Sequence, residues 1–225
     1  MCGRFTRSQS IPAIAEEFGV EEVSCDLGPS YNIAPTQKVA VVITDGAKRL
    51  VPVRWGLVPS WAKDLSVGNR MINARAETIT EKASYRNAFK KRRCLVVADG
   101  FYEWQGLGVA KRPVYIHLKS GKPFGFAGLY EVWKSPEGEE VKTCAIITTE
   151  ANELMKPIHD RMPVIIPGEL QDEWLDPKTA DHSHLLDMLK PSPSDGMEAY
   201  PVSKRVNSPR NNSPECMKRL KLVEY

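Results

Sequence analysis

Five apolar, β-branched runs follow one another from residue 94 to residue 149: Cys94–Ala98, Phe101–Trp104, Val114–Leu118, Phe124–Leu129 and Val141–Thr149. Gly100, Gly106/Gly108 and Ser120-Gly121 punctuate them, and helical segments do not alternate with them. That pattern excludes a doubly wound parallel sheet, which needs a helix between successive strands. Upstream, Val39–Thr44 and Arg49–Trp55 flank Asp45-Gly46 and read as a hairpin with a loop slightly longer than the tightest type. Pro163–Ile166 and Ala199–Ser203 add short strands, and Met71–Glu77 can begin as one.

Helices are short. Ser10 caps a segment ending at Phe18, with Pro12 in its first turn and Gly19 after its end. Lys82–Arg93 reads as a helix whose last residues, Lys90 to Arg93, form a solvated basic end. Glu169–Leu175 and His182–Leu189 complete the set. No internal repeat or long linker divides the chain. The expectation is one α+β domain over residues 1–225, built on a curved, largely antiparallel or barrel-like sheet with short peripheral helices.

A hydrophobic fraction of 42 % and a length of 225 residues suffice for a substantial core. The net charge of +3 is too small to imply a nucleic-acid partner by itself. Five cysteines without CxxC spacing argue against a disulfide framework or a zinc cluster. Cys94 and Cys144 read as core. None of the four histidines has metal-ligand spacing, so no metal or other cofactor is expected. No signal-type N-terminus and no long apolar stretch is present, which points to a cytoplasmic protein away from membranes.

The chain starts Met1-Cys2-Gly3-Arg4. An initiator methionine before a small residue is normally trimmed, which would leave an α-amine and a thiol on adjacent carbons of Cys2. Their ordinary pKa values, about 8 and about 8.5, make both partly nucleophilic at neutral pH. Such a 1,2-aminothiol condenses with an aldehyde to a five-membered thiazolidine. In Phe101-Tyr-Glu-Trp104, strand alternation sends Glu103 to one face and Tyr102 and Trp104 to the other. A carboxylate among rings suits general acid–base work, although a solvent-facing edge glutamate has the same pattern. His159 lies in a loop between charged neighbours; His117 reads as structural, and His182 and His184 as solvated. Asn73, Arg75 and Glu77 share one face if their run is extended, which fits either a phosphate-facing row or a surface ion-pair ladder. Arg4, Arg161 and Lys204/Arg205 add separate positive charges, and Trp61 and Trp104 are possible base-stacking surfaces.

Taken in order, Met1-Cys-Gly-Arg-Phe5, Tyr31-Asn-Ile-Ala-Pro35, Arg54-Trp-Gly-Leu57, Asn73-Ala-Arg-Ala-Glu77, Ala98-Asp-Gly-Phe-Tyr-Glu-Trp104 and Ile158-His-Asp-Arg-Met-Pro163 resemble the SRAP family. That family comprises SOS-response-associated proteins, named for a supposed peptidase activity, that crosslink to abasic sites in single-stranded DNA. The resemblance implies Cys2 as nucleophile, Asn73 as its positioning group, Glu103 as acid–base and His159 as the group that opens the sugar. It implies a DNA groove along Arg4, Pro35, Trp61, Arg75, Trp104 and Thr149, with Arg86 and Arg161 less closely matched. It further implies a monomer that shields abasic sites, associated with the nucleoid in a bacterium, with lyase- or peptidase-type chemistry. Two other readings of an N-terminal cysteine stand beside it. One is an amidotransferase or self-processing hydrolase, in which the thiol attacks an amide. The other is a plain single-strand-binding module. Arg4-Phe5 and the lack of a glutamine-site motif weigh against the first.

Overall fold

The structure is a computed structural model that describes residues 2–106, 111–179 and 181–220; Met1 and Gly108 lie outside them. Its strands in chain order are β1 (Phe5–Arg7), β2 (Glu22–Val23), β3 (Ser30–Ile33), β4 (Lys38–Thr44), β5 (Lys48–Trp55), β6 (Asn73–Arg75) and β7 (Arg93–Ala98). There follow β8 (Gly100–Gln105), β9 (Arg112–Leu118), β10 (Phe124–Lys134), β11 (Glu140–Glu150), β12 (Arg161–Pro163), β13 (Ile165–Ile166) and β14 (Met197–Pro201). The α-helices are α1 (Ile11–Phe18), α2 (Arg86–Lys91), α3 (Gln171–Leu175) and α4 (His182–Asp187).

β4, β5, β7, β10 and β11 form a closed ring. Antiparallel pairing runs β5–β4–β7–β10–β11, and a short parallel contact, Arg54 with Thr143 and Trp55 with Cys144, joins β11 back to β5. The barrel-like, largely antiparallel expectation is therefore met, within an α+β fold. A second, antiparallel sheet runs β14–β9–β8–β1–β3. Barrel strands are buried on both faces. Along β4, Val39, Val41 and Ile43 join a core shared with Phe5, Phe101 and Ile116 of the second sheet, while Ala40 and Val42 join one shared with Ile14, Phe89, Trp174 and Leu185 of the helices. Such two-sided burial explains why these strands read as continuous apolar runs rather than alternating ones.

β1 lies within the second sheet, between β8 and β3. Phe5 is wholly buried, with its ring 5.0 Å from Trp55 and 5.8 Å from Phe126, both edge-on. Fixing this ring fixes the chain three residues after Cys2, and burial of a side chain of this size contributes about 2–3 kcal/mol.

α1 forms as expected: Ser10 Oγ accepts from Ala13 N, and Gly19 at φ 59° closes the helix. α2 is shorter than expected. Arg93 belongs to β7 and is 2 % exposed, donating to the carbonyls of Trp174, Phe89, Lys90 and Asp176. Far from being a solvated helix end, it satisfies the orphan carbonyls of α2 and α3. Among the described residues no helix is long and apolar enough to cross a membrane.

Candidate functional site

Cys2 is fully buried, and its carbonyl oxygen accepts a 2.9 Å hydrogen bond from Asn73 Nδ2. Asn73 opens β6, which pairs in parallel with β11. A single amide thus ties the N-terminal segment of the second sheet to the barrel. The Asn73 carbonyl in turn accepts from Tyr85 Oη at 3.1 Å, and burial pushes that phenol up to about 12. Asn73 Oδ1 is buried without a hydrogen-bond partner among the described residues.

Glu103 is 4 % exposed, so the edge-strand alternative is excluded. Alternation along β8 holds. Phe101 faces the core that contains Cys2, while Tyr102 and Trp104 pack with Val202, Val206 and Cys216 on the other side. Tyr102 N donates to Arg4 O, which holds β8 beside the N-terminal segment. Burial, first, and the Glu103 carboxylate, second, push the Cys2 thiol well above its ordinary range. The expectation of a thiol near 8.5 is corrected: sequence position carries no information on burial, and here burial dominates.

Both segments meet at a junction that sequence reasoning passed over. Asp99, between β7 and β8, accepts from Thr6 Oγ1, Ser8 N, Ser8 Oγ (2.6 Å) and Gln9 N (3.2 Å). Thr6 Oγ1 also shares a 3.0 Å hydrogen bond with the Tyr115 hydroxyl. Gly100 is required there, because a Cβ at this position would lie 2.2 Å from that hydroxyl. The available signal was an aspartate inside a run of buried apolar strands, where a carboxylate needs donors.

His159 follows a turn that joins β11 to β12. Gln105 Nε2 at the end of β8 donates to Pro157 O at 3.1 Å, tying this turn to the strand of Glu103. His159 Nδ1 lies 3.0 Å from Arg161 N and 2.8 Å from Asp160 Oδ1. A bare Nδ1 accepts from the first, and a protonated one donates to the second, so the imidazole has a partner in either state.

The basic residues separate into engaged and open groups. Arg161 forks onto both Glu77 oxygens, with Nη2 to Oε2 at 3.0 Å, and donates to Thr148 O at 2.6 Å. Glu77 does not share the face of Asn73 and Arg75, since β6 ends at Arg75 and a 3₁₀ turn begins at Ala76. Arg75, opposite Thr148, is exposed and makes no ion pair among the described residues. Arg86, the first residue of α2, is exposed one position after Tyr85. Thr149 is buried opposite Met162 on β12. Arg4 Nη1 is taken by Asn32 Oδ1 at 2.7 Å and Val206 O at 2.6 Å, and its guanidinium lies 5.7 Å from the Trp104 ring centre.

Two loops complete the surroundings. Pro35 begins a turn in which Thr36 takes φ 76°, unusual for a β-branched residue. Thr36 N donates to Trp55 O and Arg54 Nη1 to Thr36 O, which offsets the strain. Trp61 is 66 % exposed on a loop held by the close approach of Gly56 to Gly68 and by Trp133 Nε1 donating to Ala62 O at 2.7 Å. An exposed ring on a fixed loop is a preformed stacking surface. The structure thus brings Cys2, Asn73 and Glu103 together and ties the His159 turn to them. Among the described residues, no hydrogen bond or ion pair relates Trp61 or Arg86 to this group.

A family model described as SOS response associated peptidase (SRAP) matches residues 1–209. The abasic site processing protein YoqW of Bacillus subtilis (strain 168) is 51 % identical over 221 residues, covering 96 % of this chain and 99 % of that protein. The abasic site processing protein HMCES of Xenopus tropicalis is 35 % identical over 228 residues, covering 87 % and 68 %. A solved structure of a protein from Bacteroides thetaiotaomicron superimposes with a TM-score of 0.89 at 29 % identity, covering 98 % of this chain and all of that one.

Proposed function

Because the chain belongs to the SRAP family, we propose that it processes abasic sites in single-stranded DNA by forming a covalent thiazolidine through Cys2. The observation that carries this reading is the joint hold on Cys2, with Asn73 on its carbonyl and Glu103 acting electrostatically on its thiol. Loss of Met1 converts the Cys2 amide nitrogen into an α-amine at a position already fixed by Asn73.

The closed abasic sugar loses the proton of its anomeric hydroxyl while its ring oxygen gains one, giving an aldehyde; His159 relays these protons. The amine adds to the aldehyde carbon. Glu103 delivers a proton to the departing hydroxyl, so one water leaves and an imine remains. The sulfur then adds to the imine carbon, and the thiol proton ends on the ring nitrogen. A thiol held neutral by burial keeps the amine first in this sequence, and positive charge on the protonated imine offsets the cost of forming the thiolate. Arg75, Arg86 and Trp61 are open to phosphates and bases. Arg4, Trp104, Pro35, Thr149 and Arg161 shape the groove from positions already engaged by the protein.

The test is incubation with single-stranded and duplex oligonucleotides that carry one abasic site, followed by denaturing electrophoresis. The expected result is a heat-stable adduct, formed faster on the single strand. Absence of any adduct on either substrate would refute the reading, and equal rates would remove the strand preference.

A further inference from the structure

A basic segment adjoins Arg4 and Trp104. Residues 203–220 contain five basic side chains and one acidic, a net +4, against +3 for the whole chain, so the remainder carries a net −1. Lys204, Arg205, Arg210, Lys218 and Arg219 are all exposed. Arg219 pairs with Glu198, and Lys218 lies 3.8 Å from Glu215. Lys204, Arg205 and Arg210 make no ion pair among the described residues.

This segment is a strap with a fixed backbone. The buried Asn32 donates from Nδ2 to the carbonyls of Val206, Ser208 and Asn211, at 3.2, 3.0 and 2.7 Å. Arg4 donates to Val206 O, and Val206 itself is wholly buried beside Tyr102 and Tyr115. Trp104 Nε1 donates to Asn207 Oδ1 at 2.8 Å. The three unpaired cations therefore flank Asn207, which touches the residue immediately after Glu103. Unpaired cations on a fixed backbone next to a site for a polyanion are positioned to replace its counterions, with only their own side chains left to order at binding.

We propose that this strap carries backbone phosphates of the DNA strand on the Trp104 side of the abasic nucleotide, with Lys204, Arg205 and Arg210 as the contacts. The proposal rests on the reading of the site as one for single-stranded DNA. Charge complementarity and direct continuity with Trp104 favour this occupant over any other polyanion.

The experiment compares wild type with the triple variant Lys204→Ala/Arg205→Ala/Arg210→Ala. Fluorescence anisotropy over a range of salt would use oligonucleotides carrying a tetrahydrofuran abasic analogue, which has no aldehyde to react, extended on one side or the other of the lesion. Removing three phosphate contacts is expected to flatten the log–log salt slope by about 2 and to weaken binding on the order of a hundredfold near 0.1 M salt. The wild type is expected to gain affinity when the oligonucleotide is lengthened on one side only, and the variant to lose that gain. A control variant, Lys142→Ala/Lys178→Ala, checks for a general charge effect. An unaltered slope in the triple variant, or an equal loss per charge in the control, would overturn the strap proposal while leaving adduct formation intact. Failure of the wild type to form any adduct would instead remove the reading on which the strap rests.

Discussion

Asn73 donates a 2.9 Å hydrogen bond from its amide nitrogen to the carbonyl oxygen of Cys2, joining the barrel to the N-terminal segment of the second sheet. Asn73→Ala removes this donor from a half-buried position at a cost to stability of about 1 kcal/mol. Its effect on adduct formation should be larger, roughly 10–100-fold in rate, because misplacing a nucleophile by an ångström has that magnitude. Thermal unfolding and single-turnover crosslinking on the same sample measure both. A rate that falls no further than stability accounts for would assign Asn73 a structural role only.

Arg75 and Arg161 should behave differently despite equal charge. Arg75 is open, whereas the Arg161 fork is occupied by Glu77, whose carboxyl it holds below the usual range. Arg75→Ala is expected to flatten the salt dependence of single-strand binding by about 0.7. Arg161→Ala should change that slope less. Because Glu77 is half exposed, the Arg161–Glu77 coupling in a double-mutant cycle should be about 1 kcal/mol or less. Identical slopes for the two arginine variants would contradict this division.

Asp99 collects donors from Thr6, Ser8 and Gln9, so Asp99→Ala takes the shared acceptor from the buried Thr6 hydroxyl and from the half-buried Ser8 and Gln9 donors. Destabilisation of about 2–4 kcal/mol is expected by denaturant titration. Gly100→Ala should act on the same junction by displacing the Tyr115 hydroxyl from Thr6. A Gly100→Ala protein with unchanged stability would show that this junction does not hold β1.

The buried thiols predict loss of stability in alkali. Cys2, Cys94 and Cys144 are fully buried, and burial raises each above the ordinary thiol range, with Glu103 adding to the effect at Cys2. Folded pKa values are thus above unfolded ones. The unfolded chain releases thiol protons from about pH 9 upward while the folded chain keeps them, so stability present below that pH declines above it. Tm should have no contribution from these groups near neutrality and fall increasingly above pH 9. Cys94→Ala/Cys144→Ala should lower Tm but make the alkaline slope shallower; an unchanged slope would exclude the thiols as its cause.

The strands around residues 94–149 were legible because two-sided burial writes itself as apolar runs with glycine breaks. The alternation that sets Glu103 apart from Tyr102 and Trp104 was readable from four residues, but its burial was not, since a solvent-facing edge glutamate has the same pattern. The barrel's closure was not, since it rests on a two-residue parallel contact between Arg54–Trp55 and Thr143–Cys144, distant in sequence. Arg93 misled because a basic run looks solvated, yet its guanidinium caps carbonyls from two helices. Glu77 misled because β6 ends two residues before it, and a partner in β12, Arg161, claims its carboxylate. The proposal of Cys2 as a reactive centre came from its place behind Met1, but its raised thiol pKa depends on tertiary burial that no local pattern encodes.

The central claim is that the α-amine and thiol of one residue act together. Mass spectrometry of the digested adduct with abasic single-stranded DNA tests it most directly, run beside a protein whose second position retains Met1. The expected result is a DNA remnant on Cys2, with Met1 absent and one water lost relative to the reactants, and no stable adduct from the Met1-retaining protein. A stable adduct formed equally well with Met1 in place, or a remnant on a lysine, would contradict it.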